Sequence, residues 1–280
     1  MWLRANRWAL FLLQQAGTFS VGLLYLGTVR YLTGKTLHGG EDPLGWMEFT
    51  TYAILVAGLV WGTSRLHQWV HGANAPDLGL APSRRRFLEL LIGLAAGALA
   101  NGWMWMLSLA TGTAQIADVI TNHHAVPAVV GLITLGVTVA LLNGLLEEAT
   151  SRAFPARLFG DHPLWFRVGL LAAFFALQHL VDEPFEVGRF LYLFGFGAIL
   201  TLAYIWRGNI WLPLGLHSGY LLASIAPGGR WHLGSIYDLS GTYAVPLWLY
   251  DLGMLVLAIT LTIWMQLSLR DRGSTSSRTF

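Results

Sequence analysis

The chain has 280 residues, of which 55% are hydrophobic and only 11% charged, with mean hydropathy +0.54 and 13 tryptophans. A soluble domain carries roughly 25% charged residues, so this composition defines an integral membrane protein. There is no cysteine, which excludes disulfides, thiolate nucleophiles and cysteine-ligated metals. The net charge of +2 comes from basic residues scattered over loops, not from a patch that would hold nucleic acid.

Apolar stretches of about 20 residues suit membrane spans. In chain order they fall at 8–29, 46–64, 87–110, 126–151, 164–181, 190–206, 210–226 and 247–267. Arg4 and Arg7 precede the first, and no small-residue cleavage pattern follows it, so it reads as a retained signal anchor. Eight spans put both termini on one side. With that side cytoplasmic, twelve of the 17 Lys and Arg fall in inner segments and four in outer ones, Arg152 lying within a helix. Cytoplasmic loops accumulate such charges. The expected fold is therefore all-α, a polytopic membrane bundle of about eight transmembrane helices with cytoplasmic termini. Its expected regions are 1–125, with three spans, 126–226, with four, and 227–280, with an outer loop, the last span and a tail.

The polar gaps fit this plan. Residues 72–86 read as a cytoplasmic linker whose Arg84–Arg86 run signals topology. An outer loop at 111–125 holds His123 and His124, neighbours without the i,i+4 partner that would make a metal site. The loop at 227–246 is rich in Gly and aromatics, with Trp231 and Tyr237 expected at headgroup depth. The tail at 271–280 has a disordered composition. There is no internal repeat, phosphate-binding glycine loop or HExxH motif.

The chemistry concentrates in Asn143-Gly-Leu-Leu-Glu147-Glu148-Ala-Thr-Ser-Arg152, at the end of a long apolar run. Ionisable groups in a membrane segment cost several kcal/mol each and usually face a bundle interior or a wet cavity. On a helix, Glu148 and Arg152 stand at i,i+4 and can pair. Glu147 lies about 100° away and shares its face with Asn143. One carboxylate is expected to be paired and the other free for chemistry. Two later histidines, His179 and His217, fall at matching depth. Glu147 lies 16 residues before Pro163 and His179 lies 16 after it, while His217 lies 8 past Asn209. The last can reach the same level if the hairpin around Pro163 projects beyond the membrane. A carboxylate and two imidazoles would then meet inside the bilayer on its cytoplasmic side, able to activate water and face an oxyanion.

Glu147-Glu148-x-x-x-Arg152, Phe175-x-x-x-His179, and His217 after Trp206-Arg-Gly-Asn-Ile-Trp-Leu-Pro213 resemble three consecutive motifs of the CPBP intramembrane proteases. That family includes the CAAX prenyl endopeptidases and the bacterial bacteriocin-processing and immunity (Abi) proteins. The resemblance covers about residues 126–226. It implies a metal-free, cofactor-free glutamic endopeptidase in the bacterial cytoplasmic membrane, acting on a membrane-associated peptide or protein. It further implies that Glu147 with His179 activates water, that His217 stabilises the oxyanion, and that Glu148–Arg152 holds the site together. Ser151 and Ala153 depart from the aromatic and glycine usual at those places, and Leu221 stands where Asn or Asp is usual. Asn143, on the face of Glu147, and Ser224, seven residues past His217, are the expected replacements for that donor. The four acid and imidazole groups could also ligate zinc, or bind a ligand or protons in a non-catalytic or transporter-like protein.

Overall fold

The computed structural model describes residues 6–33, 46–72, 77–119, 126–179, 186–228 and 237–241, together with 256, 260, 263 and 264. The helices are α1 (Arg7–Thr33), α2 (Trp46–His71), α3 (Arg84–Ala110), α4 (Val126–Glu147), α5 (Phe154–Leu158), α6 (Leu164–Gln178), α7 (Val187–Arg207) and α8 (Trp211–Gly228). A π-helical turn, Glu148–Ala153, joins α4 to α5. The protein is an all-α membrane protein. Among the described residues, four helical stretches, Arg7–Thr33, Arg84–Ala110, Val129–Leu158 and Val187–Arg207, are long and apolar enough to cross a bilayer. Helices α2 and α8 form where spans are expected but carry more polar residues, and α6 is apolar but short. The eighth expected span, the His123–His124 pair and the tail lie outside the described residues, apart from four positions in that span.

Two loops expected on the outer side each contribute a strand instead. β1 (Ala114–Val119) pairs antiparallel with β2 (Tyr237–Gly241), running from Ala114 opposite Gly241 to Val119 opposite Tyr237, with an irregularity between Ile116 and Asp118. The ribbon ties the end of α3 to the chain beyond α8. The stretch 77–83 is also more than a linker. Asp77 accepts from the backbone N–H of Gly79 and Ala81, and Leu78 is buried beneath the α7–α8 turn. Gly79 has φ +81°, and a Cβ there would sit 2.3 Å from the Asn209 Cα.

Within lipid there is little hydrophobic force between helices, so association rests on close backbone approach and interhelical hydrogen bonds. Helix α8 uses both. A Cβ on Gly93 or Gly97 of α3 would fall 2.5 Å from Leu212 O or 2.0 Å from Leu216 O. One on Gly215 or Gly219 of α8 would fall 2.2 Å from Leu90 O or 2.1 Å from Leu94 O. The two helices therefore touch backbone to backbone through a small-xxx-small stripe on each. On the other side of α8, a Cβ on Gly144 of α4 would meet Ser218 Oγ at 2.7 Å, and that hydroxyl donates to Ala140 O at 3.0 Å. Helix α8 is thus clamped between α3 and α4, and His217 lies between the two clamped glycines.

Arg7 and Arg157 meet the turns at one end of the bundle. Arg7 bonds Asp161 in the α5–α6 turn and holds that carboxyl below the usual carboxylate range. Arg157 donates to Gly208 O at 3.3 Å and to the Tyr204 hydroxyl at 3.2 Å, which sets the end of α5 level with the α7–α8 turn.

Gly219→Ala is expected to destabilise the protein by about 1–3 kcal/mol, because the new methyl has no room against α3. Gly17→Ala, on α1 where nothing lies within 4 Å, should be neutral or slightly stabilising, since Ala favours helix. Thermal unfolding in detergent compares the two; equal midpoints would remove the glycine contact as the determinant of the α3–α8 crossing.

Candidate active site

The sequence predicts an α-helix through Ser151. Instead, the backbone widens one residue after Glu147, and the Phe154 N–H bonds Ala149 O, five residues back. The helix then resumes and runs to Leu158. Such π turns cost regular hydrogen bonding and often occur at functional sites. All six residues of the turn are buried. Glu148 and Arg152 pair within it, with relative exposures of 0% and 1%. The guanidinium carbon also stands 5.0 Å from the centre of the Phe175 ring, a favourable cation–π placement. The same Glu148 oxygen, Oε1, faces His217 Nδ1 at 2.9 Å.

Glu147 has different surroundings. Its Oε1 accepts from the Asn143 amide at 2.8 Å, one helical turn earlier. Its Oε2 stands 3.9 Å from His179 Nε2 and 3.9 Å from His217 Nε2, and is buried without a hydrogen-bond partner among the described residues. Separations of 3.9 Å are too long for direct hydrogen bonds and suit a bridging atom between the groups. Each imidazole is oriented from its far side. His179 Nδ1 lies 2.8 Å from the Phe175 carbonyl, which can only accept, and His217 Nδ1 lies against the Glu148 carboxylate. These partners assign the proton of each ring to Nδ1 and turn both Nε2 atoms toward Glu147. His217 is almost fully buried, with Phe175 and Phe196 edge-on at 5.9 and 5.7 Å, whereas the His179 side chain keeps 32% exposure at the C-terminal cap of α6.

Asn143, Glu147, Glu148, Arg152, His179 and His217 are thus brought together. The two expected substitute donors have partners of their own. The Asn143 amide points into the site, giving one N–H to Glu147 and accepting from Tyr52 at 3.0 Å, so it holds the carboxylate. Ser224 faces away. Its hydroxyl accepts from Asn101 of α3 at 2.5 Å and donates to Tyr220 O at 3.2 Å. Leu221 is buried against Val139 and Ala140 of α4, as an aliphatic side chain should be. Among the described residues no group of three or more His, Asp or Glu stands in a geometry that could hold a metal.

Two residues missed in the sequence come from the N-terminal helices. Gln15 of α1, 2% exposed, donates to Thr150 O inside the π turn at 2.9 Å. Its carbonyl accepts from Gln178 at 2.9 Å and from Ser151 at 3.3 Å. It therefore ties the widened turn to the residue just before His179. Tyr52 of α2 is the second. The signal for both is a polar side chain inside an apolar run, but only the folded chain shows what it meets.

The cluster thus sets one sealed and one partly open glutamate against two imidazoles within a helical bundle. Residues 129–223 match the family described as type II CAAX prenyl endopeptidase Rce1-like. The matched segment is about a third of the chain, and its similarity is to the CPBP and CAAX proteases, which are membrane peptidases. No curated protein and no solved structure gives a significant match to the chain.

Removing one partner of a buried ion pair strands the other, typically at about 3–5 kcal/mol. Glu148→Gln and Arg152→Ala are expected to lower the unfolding midpoint in detergent sharply. Gln15→Leu leaves the Thr150 carbonyl unsatisfied and is expected to cost about 1–3 kcal/mol. If Glu147→Gln proves the most destabilising of the four, the roles of the two glutamates are reversed.

Proposed function

We propose that the protein is an intramembrane glutamic endopeptidase that hydrolyses a peptide bond in a membrane-associated peptide or protein. The observation that carries this reading is the single oxygen, Glu147 Oε2, facing two Nε2 atoms at equal distances of 3.9 Å. A water placed there gives one O–H to Glu147 Oε2 and the other to the lone pair of His179 Nε2. Its own lone pair is left for the scissile carbonyl carbon. Glu147 takes the proton as the water oxygen bonds to carbon, and the carbonyl oxygen becomes an oxyanion. With a proton on Nε2 as well, His217 can donate to that oxyanion while its Nδ1–H is held by the Glu148 carboxylate. The intermediate then collapses, and the proton held by Glu147 passes to the leaving nitrogen as the C–N bond breaks.

The topology that suits this chemistry has eight spans, with both termini and the end of the bundle that holds Arg7 and Arg157 in the cytoplasm of a bacterial inner membrane. The core would be 126–226, preceded by three spans and followed by an outer loop, a last span and a tail. From Arg157 to Glu147 and from Gly208 to His217 the rise is about 15 and 14 Å, which suits a site within the bilayer on the cytoplasmic side. The chain has no cysteine, so single introduced cysteines can report each loop's side by reagent access.

Leu221 favours a second reading. With an aliphatic residue where an amide or acid is usual, the same polar cluster can bind a ligand or protons without cleaving anything. Peptide cleavage by the purified protein separates the two, with prenylated and unprenylated substrates compared. Glu147→Gln should abolish cleavage and keep the unfolding midpoint, since only the base is lost. Leu221→Asn should raise turnover, up to the 10²–10³ that one oxyanion donor contributes (about 3–4 kcal/mol). Chelators should leave cleavage intact. Cleavage lost on chelation and restored by stoichiometric zinc would replace the glutamate mechanism with a metal one.

A further inference from the structure

We propose that Tyr52 is a positioning residue for Glu147, acting through Asn143. The inference rests on the reading of Glu147 as the base that activates water, and it adds a residue outside the segment 129–223 that the family match covers.

The two oxygens of Glu147 must behave differently. Oε2 has to stay open toward His179 and His217, so Oε1 has to be held, and Asn143 holds it at 2.8 Å. An amide can do this in only one of its two orientations. Its NH₂ group must face the carboxylate, because the flipped amide would set carbonyl oxygen against carboxylate oxygen. The carboxylate, which only accepts, selects that orientation but does not fix where the amide stands. The far end of the amide has to be held as well. There the Tyr52 hydroxyl stands 3.0 Å from Asn143 Oδ1 and donates to it.

The tyrosine is itself fixed in place. It projects from α2, a helix that packs against α4, and its ring lies 6.0 Å from that of Tyr25 of α1. The Tyr25 hydroxyl is committed to Glu48 O at 2.6 Å. A phenolic hydroxyl in an apolar span costs free energy unless it finds a partner. The partner found here belongs to the side chain that holds Glu147 Oε1. The path thus runs from α2 through α4 to the reacting carboxylate in two hydrogen bonds.

The test compares Tyr52→Phe, Asn143→Leu and the double variant in the full chain, with Asn143→Ser replacing Asn143→Leu should that variant not fold. The first reading is the Glu147 carboxyl stretch, isolated as the infrared difference between each protein and its Glu147→Gln counterpart. It needs no substrate. Tyr52→Phe should move this band in the same sense as Asn143→Leu, and the double variant should move it no further than Asn143→Leu alone. The second reading is cleavage, where Tyr52→Phe should lower kcat by about ten-fold with KM unchanged. A band that Tyr52→Phe leaves in place overturns the proposal, as does a shift that adds to that of Asn143→Leu. If the wild-type protein cleaves no peptide while the band moves as stated, the positioning role stands and the protease reading fails. If peptide is cleaved but the band is unmoved and only the unfolding midpoint falls, Tyr52 is a packing residue.

Discussion

A carboxylate with no accessible surface persists in a membrane bundle only where its charge is matched on the spot. Glu148 meets that constraint with Arg152 on its own helical turn and His217 on α8. The pairing accounts for much of the surrounding structure. Arg152 needs a face to lie against, and Phe175 supplies it from α6. His217 has to approach Glu148 within hydrogen-bond distance, which requires α8 to run tight against α4, and Gly144 and Ser218 allow that approach. The glycines that bring α3 against the opposite side of α8 then leave His217 little freedom to move. Electrostatics decides which helices must meet here, and small side chains decide how closely.

The two adjacent glutamates show how one turn of helix separates structure from chemistry. Glu148 is sealed and Glu147 retains 20% side-chain exposure. Both lie near the π turn, where the main chain gives up its regular pairing. The carbonyl of Thr150 is taken up by Gln15, and the amide of Asn143 holds Glu147. Side chains from α1 and α2 thus stabilise a site whose acid and imidazole groups all belong to the later half of the chain.

Much of the site was legible in the sequence because charge is conspicuous against an apolar background. Glu147, Glu148 and Arg152 could be found from hydropathy alone, and residue counting from the turns placed His179 and His217 at a common depth. The widened turn was not legible, because Glu148 and Arg152 can pair across four residues in either helical form. Nor were Gln15 and Tyr52, whose partners lie 135 and 91 residues away along the chain. The Gly93/Gly97 and Gly215/Gly219 pairs were visible as spacings, but a spacing names no partner. Ser224 was on the right helical face by count, yet Asn101 reaches it from α3. The β ribbon was read as loops because its strands are short and its pairing spans more than a hundred residues.

Helix α6 has only 15 residues, a length of about 22 Å against a hydrocarbon core of about 30 Å. The described helix ends at His179, beside the polar cluster, and the His179 side chain keeps 32% exposure. A helix shorter than the hydrocarbon core is accommodated by thinning of the bilayer beside it. Any chemistry in a site set among apolar helices that consumes water depends on how far that water must travel, and a bilayer thinned beside α6 shortens the distance.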